Sequence, residues 1–259
     1  MDKPAFYAAL RKRDSGVFGT SLSQAQVDGC ESILEAARTE GIEDIRHVAN
    51  VLAQVYHETG GYMLPIKETV MPHHKDKNPS DATVISRLNN AYSRGQLPWV
   101  NTPYWRDGWF GRGQIQITHR RNYEKLGDRL GVNLVADRDK ALDPEVSARI
   151  AVVGMAEGIF TGRRLADYFS DGKNDVRNAR GIVNGPDRTE DTVAGYHMAF
   201  LAALDQAGWT PPAKPQESGD DGEGEAEPGA ANDIDGLLMA LKALLRKTIN
   251  MITRWMESR

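Results

Sequence analysis

His57-Glu58-Thr59-Gly60-Gly61, a second acid at Glu68, and the run Gly111-Arg112-Gly113-Gln114-Ile115-Gln116-Ile117-Thr118 are the residues of this chain best suited to chemistry. They offer two carboxyls and a polar stretch able to line a cleft. Cleavage of a glycosidic bond uses such a pair, because one carboxyl protonates the leaving oxygen while the other activates water on the opposite face of the sugar. The double glycine after Glu58 is a helix-stop signal, since glycine takes the left-handed conformation at little steric cost. A carboxyl at a helix C-terminus faces the negative end of the helix dipole, which disfavours its charged form and suits Glu58 to be a general acid. Glu68 stands beside Lys67, whose charge would favour the ionised carboxylate that a general base must be.

In Gln114-Ile115-Gln116-Ile117-Thr118 the alternation predicts a short strand with Ile115 and Ile117 on one face and Gln114, Gln116 and Thr118 on the other. One face packs, and the other presents amides and a hydroxyl. Gly111 and Gly113 permit close approach of backbone to ligand, and the Thr118 hydroxyl can hold a water. A plain amphipathic edge strand would show the same pattern, and two glutamates ten residues apart are by themselves common surface charges.

Other chemistries find less support. His57-Glu58 is followed by Gly61 where an HExxH zinc helix needs histidine, and His73-His74 has only Asp76 close by, so no metal site is expected. Cys30 is the single cysteine, which rules out an intrachain disulfide and a thiolate zinc site; with no histidine nearby in sequence it reads as a bland helical thiol. No cofactor is implied. The formal net charge is -4, residues 1–210 carry 26 bases against 27 acids, and no long basic run suggests nucleic acid as a partner.

The two motifs, in this order and with Asn122-Tyr123 just after the second, resemble the family 19 glycoside hydrolases, which include plant-type chitinases and related phage lysins. The resemblance covers about Ala25 to Ala207. It implies a mainly α, lysozyme-like helical domain with a substrate cleft and a very small β element. It also implies Glu58 as general acid, Thr118 as the hydroxyl that positions the attacking water, and His57, Gln116, Tyr123 and Asn184 as sugar contacts. Glu68 would be the base, as in compact lysin-type members, with Asp76, Asp81 and Asp107 as substitutes. The family works with inversion, which needs about 6.5–9.5 Å between the carboxyls for a water.

The elements that must position these residues are mostly helices. Apolar spacing predicts helices over Val27–Ala37 and Ile45–Tyr56, a short one near Val84–Tyr92, and one over Arg121–Leu130. Another starts at Asp143-Pro144-Glu145 and runs toward Phe160, with further helices at Leu165–Phe169 and Thr192–Ala207. From Met71 to Phe110 the prolines, asparagines and Trp99, Trp105 and Trp109 read as an elaborated loop region able to line a groove. Any single Trp there serves more readily to pin the loop to the core than to stack on a sugar.

Residues 211–232, rich in Pro, Gly, Ala and acids, read as a disordered, self-repelling linker. Residues 233–259 read as a separate basic amphipathic helix, suited to contact with a membrane surface, to self-association, or to packing on the catalytic domain. Charge appears near the N-terminus before any apolar stretch of signal-peptide length, so synthesis in the cytoplasm and release by holin-type export or lysis are expected. The expected function is hydrolysis of β-1,4 bonds in N-acetylglucosamine-containing cell-wall polysaccharide, peptidoglycan ahead of chitin. A lytic transglycosylase is the nearest mechanistic rival, and a non-catalytic wall-binding or virion structural protein the alternative of another class.

Overall fold

The computed structural model describes residues 1–211; the linker and terminal helix expected over 212–259 lie outside the described residues. The described chain runs α1 (Lys3–Leu10), α2 (Gln24–Thr39), α3 (Ile45–Glu58), β1 (Ile66–Lys67), α4 (Asp81–Ser93), β2 (Arg112–Gly113), α5 (Arg120–Leu130), α6 (Pro144–Ala156), β3 (Phe169–Ser170), β4 (Lys173–Asn174) and α7 (Glu190–Gln206). It is mainly α, with β1–β2 and β3–β4 as two-residue antiparallel pairs.

Local chemistry explains most helix limits. Ser23 and Gln26 form a reciprocal capping box at the start of α2. Asp44 caps α3, Ser80 caps α4, and Asp143 accepts from both Glu145 and Val146 N–H with Pro144 in the first turn of α6. Gly60 and Gly61 both take positive φ after α3, as the stop signal predicts. One expected helix fails: Leu165–Phe169 is a short 3-10 turn over Leu165–Asp167, and Phe169 passes into β3. Five residues supply little more than one turn, too few to repay the cost of helix nucleation.

The main core joins α1, α2, α3, α6 and α7, with Phe6, Ile33, Leu52, Val55, Val152 and Phe200 fully or almost fully buried. In it α3 packs on α7 and α2 on α6. A second core gathers Ile117, Tyr123, Leu126, Leu130 and Val153 between α5 and α6, and a third lies under α4 around Val84, Leu88, Trp105 and Phe110. Val55 ahead of Glu58 and Ile115 enter the first core, Ile117 the second and Phe110 the third, which anchors the segments around Glu58 and the Gly111–Thr118 run.

Among the described residues no helix is long and apolar enough to cross a membrane, and no group of three or more His, Cys, Asp or Glu could hold a metal ion. Cys30 is buried in α2, and burial pushes its thiol pKa far up, which leaves it unreactive.

Candidate active site

Glu58 is the last residue of α3. Thr59 closes that helix: its buried hydroxyl donates to Val55 O at 2.7 Å and accepts from Met63 N–H at 2.9 Å, locking the turn below Glu58. Glu58 opens into a cavity of about 240 Å³ lined also by Ile115, Gln116, Thr118, Asn122, Phe160, Val183 and Asn184. The structure therefore gathers four of the expected site residues, Glu58, Gln116, Thr118 and Asn184, around one opening. Asn122 holds the wall by donating from Nδ2 to Thr118 O at 2.8 Å, which leaves the Thr118 side chain uncommitted to that bond.

Arg180, which sequence reasoning missed, stands against Glu58. Its buried guanidinium stands 2.6 Å from Glu58 Oε1, donates to Gln54 Oε1 at 2.8 Å, and clamps Asp187 Oδ2 through Nε and Nη2 at 3.0 and 2.6 Å. The approach to Glu58 is close but off the N–H direction, so Oε1 is buried beside a cation without a directed hydrogen bond. The negative end of α3 thus faces a guanidinium, a field that position on the helix did not reveal. Burial depresses the Arg180 pKa, but Asp187 and Glu58 outweigh it and hold the group charged. Asp187 is also pushed up by burial, yet hydrogen bonds from Arg180 and Thr189 carry its carboxyl well below the ordinary range. Asn184 donates to the same Asp187 oxygen at 3.3 Å, so the one residue of this segment that the motif did suggest lies three positions from the clamp.

Glu68 sits elsewhere on the same scaffold. Its Oε1 accepts from Tyr104 Oη at 2.8 Å and its Oε2 from Gly111 N–H at 2.7 Å, at a cavity of about 440 Å³ shared with Met71, Leu97, Trp99 and Val100. The expected influence of Lys67 is corrected: its side chain is buried and reaches Asp81 at 2.7 Å and Asp139 at 3.7 Å. Successive strand residues point to opposite faces, so Lys67 turns away from its neighbour. Burial instead raises the Glu68 pKa, opposed in part by the Gly111 and Tyr104 hydrogen bonds and by His119. Two substitutes for the base are committed to cations, Asp81 to Lys67 and Arg112 and Asp76 to Arg87 at 2.8 Å.

The predicted strand Gln114–Thr118 is also corrected. Arg112 and Ile117 pair as an antiparallel bridge, and Gln114, Ile115 and Gln116 between them form a tight turn. Gly113, at φ 114°, enters that turn in a conformation that a side chain would strain, and Ser147 Oγ accepts the Gln114 N–H at 2.8 Å. Ile115 and Ile117 are both buried, as expected, but in two different cores. Gln114 is buried too, and gives its amide to Met63 O at 2.6 Å, so of the three polar residues Gln116 and Thr118 face the cavity, beside Ile115.

Gly111 has a second duty. A Cβ there would stand 2.4 Å from Gln116 Oε1 and would push that amide aside, while the glycine N–H binds Glu68.

Tyr123 is corrected as a sugar contact. It is fully buried, its hydroxyl donates to Phe110 O at 2.9 Å and accepts from Arg112 Nη1 at 3.3 Å, and it packs rather than binds. His57 is half-buried near the Tyr196 ring and is not among the residues lining the Glu58 cavity. Burial and then Arg180 lower its pKa, which favours the neutral imidazole. The tryptophans divide three ways: Trp105 is in the core and donates to Asn89, Trp109 is half-buried against Arg138, and Trp99 is 73% exposed at the Glu68 cavity.

The family described as chitinase class I, glycoside hydrolase family 19, matches residues 24–157. The chain belongs to this family. Chitinase 11 of Oryza sativa subsp. japonica is 34% identical over 92 residues, covering 35% of this chain and 33% of the relative. Acidic endochitinase pcht28 of Solanum chilense is 47% identical over 49 residues, 18% of this chain and 19% of that protein. The chain thus spans a third or less of the length of these curated relatives. Chitinase C from Streptomyces griseus superposes with a TM-score of 0.44 at 21% identity, over 80% of this chain and 92% of that one. A bacterial family 19 chitinase gives 0.42 at 17%, over 82% and 97%. In this family 19 member the matched span holds both motifs, Glu58 and Glu68, whereas Arg180 and Asp187 lie beyond it.

Proposed function

We propose that this chain hydrolyses β-1,4 bonds of N-acetylglucosamine-containing wall polysaccharide by an inverting, two-carboxylate mechanism, with peptidoglycan as its substrate. The observation that carries this reading is Glu58 at the mouth of a cavity whose other polar walls are Gln116, Thr118, Asn122 and Asn184. Glu58 donates the proton to the departing glycosidic oxygen. Glu68, lining a different cavity of the same scaffold, accepts the proton of the attacking water and so must be ionised when it acts.

Chitin is the second reading, favoured by the names of the curated relatives, a chitinase and an endochitinase. A single buried cysteine suits a chain that folds under reducing conditions, and release to the wall would then follow lysis or holin-type export. Mass spectrometry of the products from purified peptidoglycan and from chitin oligomers tests the assignment. Reducing-end muropeptides are expected from peptidoglycan. Anhydro sugars would show a transglycosylase instead, and release from chitin oligomers alone would make the chain a chitinase.

A further inference from the structure

One residue touches both carboxylate-bearing segments. The Lys77 ammonium donates to Thr59 O at 3.1 Å, one position after Glu58. The Lys77 carbonyl accepts from Lys67 N–H at 2.8 Å, one position before Glu68. Thr59 O lies just past the last turn of α3, where carbonyls lack partners within the helix and a cation offsets the negative end of the dipole. The ammonium also lies against Gly60, 3.6 Å from where a Cβ would stand. Burial lowers the Lys77 pKa, in keeping with an amine withdrawn from water and given to a neutral carbonyl. Lys67, by contrast, is held between two aspartates.

We propose that Lys77 is a positioning residue that fixes the separation of Glu58 and Glu68, its side chain holding the turn of the acid and its backbone holding the strand of the base. The proposal rests on the acid and base assignments above. Its physical basis is the steep dependence of rate on geometry, in which a misplacement of about 1 Å can cost on the order of 100-fold. Lys77 touches neither carboxyl, so its removal should change the rate of the bond-breaking step and leave ground-state binding alone.

The test uses the full chain and N-acetylglucosamine oligomers or purified peptidoglycan, with kcat, KM and melting temperature measured for K77M and K77R. K77M should lose roughly tenfold or more in kcat with KM within about twofold of the parent, while K77R, which still reaches Thr59 O as a cation, recovers most of the rate. A parent-like kcat in a folded K77M overturns the proposal, as does a rise in KM at unchanged kcat, which would make Lys77 a substrate contact. If K77M melts too early to assay, K77Q replaces it: a reduced kcat at parental KM supports the role and a parental kcat overturns it. Turnover that survives in E58Q would instead overturn the acid assignment beneath the proposal, whatever K77M does.

Discussion

Glu68 and Gly111 exchange hydrogen bonds across the β1–β2 edge: Glu68 N–H donates to Gly111 O at 2.7 Å, and Gly111 N–H donates to Glu68 Oε2 at 2.7 Å. Side chain and backbone of Glu68 are thus fixed to one glycine, which also carries the Gln116 amide across its open face. The second motif thus has two ends of different use: Gly111 clamps Glu68, while Gln116 and Thr118 face the Glu58 cavity.

A buried base should leave its mark on the pH profile. A general base works only when ionised, and burial raises the Glu68 pKa, so kcat/KM should fall on the acid side at a pH above that of an ordinary carboxylate. Removing the Tyr104 hydroxyl deletes a hydrogen bond that favours the charged form, so Y104F should move that limb to still higher pH. E68Q should lower kcat by roughly 100-fold or more and abolish the limb. An acid limb left in place by both variants would exclude Glu68 as the base.

Arg180 balances two carboxylates from a buried position, with its side chain only 3% exposed. Removing one partner of a buried ion pair leaves uncompensated charge and costs about 3–5 kcal/mol. R180M should therefore melt well below the parent and lose activity together with stability. Denaturant unfolding of R180M beside D187N checks this; a parental midpoint for R180M would show that the clamp contributes nothing.

The tryptophans make a paired prediction. Trp99 is largely exposed, so W99A should change stability by no more than about 0.5 kcal/mol while raising KM for long polysaccharide, as expected of an aromatic face offered to sugars. Trp105 is buried, and W105A should cost about 3–5 kcal/mol. Thermal melts and polymer KM values separate the two, and an unchanged KM in W99A would leave that ring without a binding role.

His197 should make the fold acid-sensitive. It is fully buried in α7, stacked on Phe169, with Asn50 Nδ2 at 3.5 Å from Nδ1 and no partner for Nε2. Burial, then Arg46, lowers its pKa from 6.5 to about 4, partly opposed by Asp44. The unfolded chain binds the proton first as pH falls. The stabilising effect of the neutral ring is therefore fully present above about 6.5 and is lost between there and about 4, on the order of 3 kcal/mol in all. H197F, which keeps an aromatic ring against Phe169, should flatten the stability curve across that window; an equally steep curve would assign the sensitivity to other groups.

Much of the helical framework was legible in sequence because its signals are local. The starts of α3 and α6, the stop at Gly60-Gly61 and the apolar stripes of α2, α5 and α7 each depend on residues within a turn or two. Leu165–Phe169 misled because five residues carry too little periodicity to separate a helix from a 3-10 turn. The Gln114–Thr118 alternation misled differently: two buried isoleucines look alike on a strand and on a turn whose ends enter separate cores.

Family membership, the position of Glu58 at a helix end and the grouping of Gln116 and Thr118 in one polar run follow from residue order alone. Tertiary structure decided what those groups experience. It turned Lys67 away from Glu68, withdrew Tyr123 into the core, exposed Trp99 and buried Trp105, and brought Arg180 from 122 positions downstream to within 2.6 Å of Glu58. Helix periodicity and capping act over a few residues along the chain. Burial and Coulombic pairing act through space, and they exist only once α3 and the Arg180 segment are packed against each other.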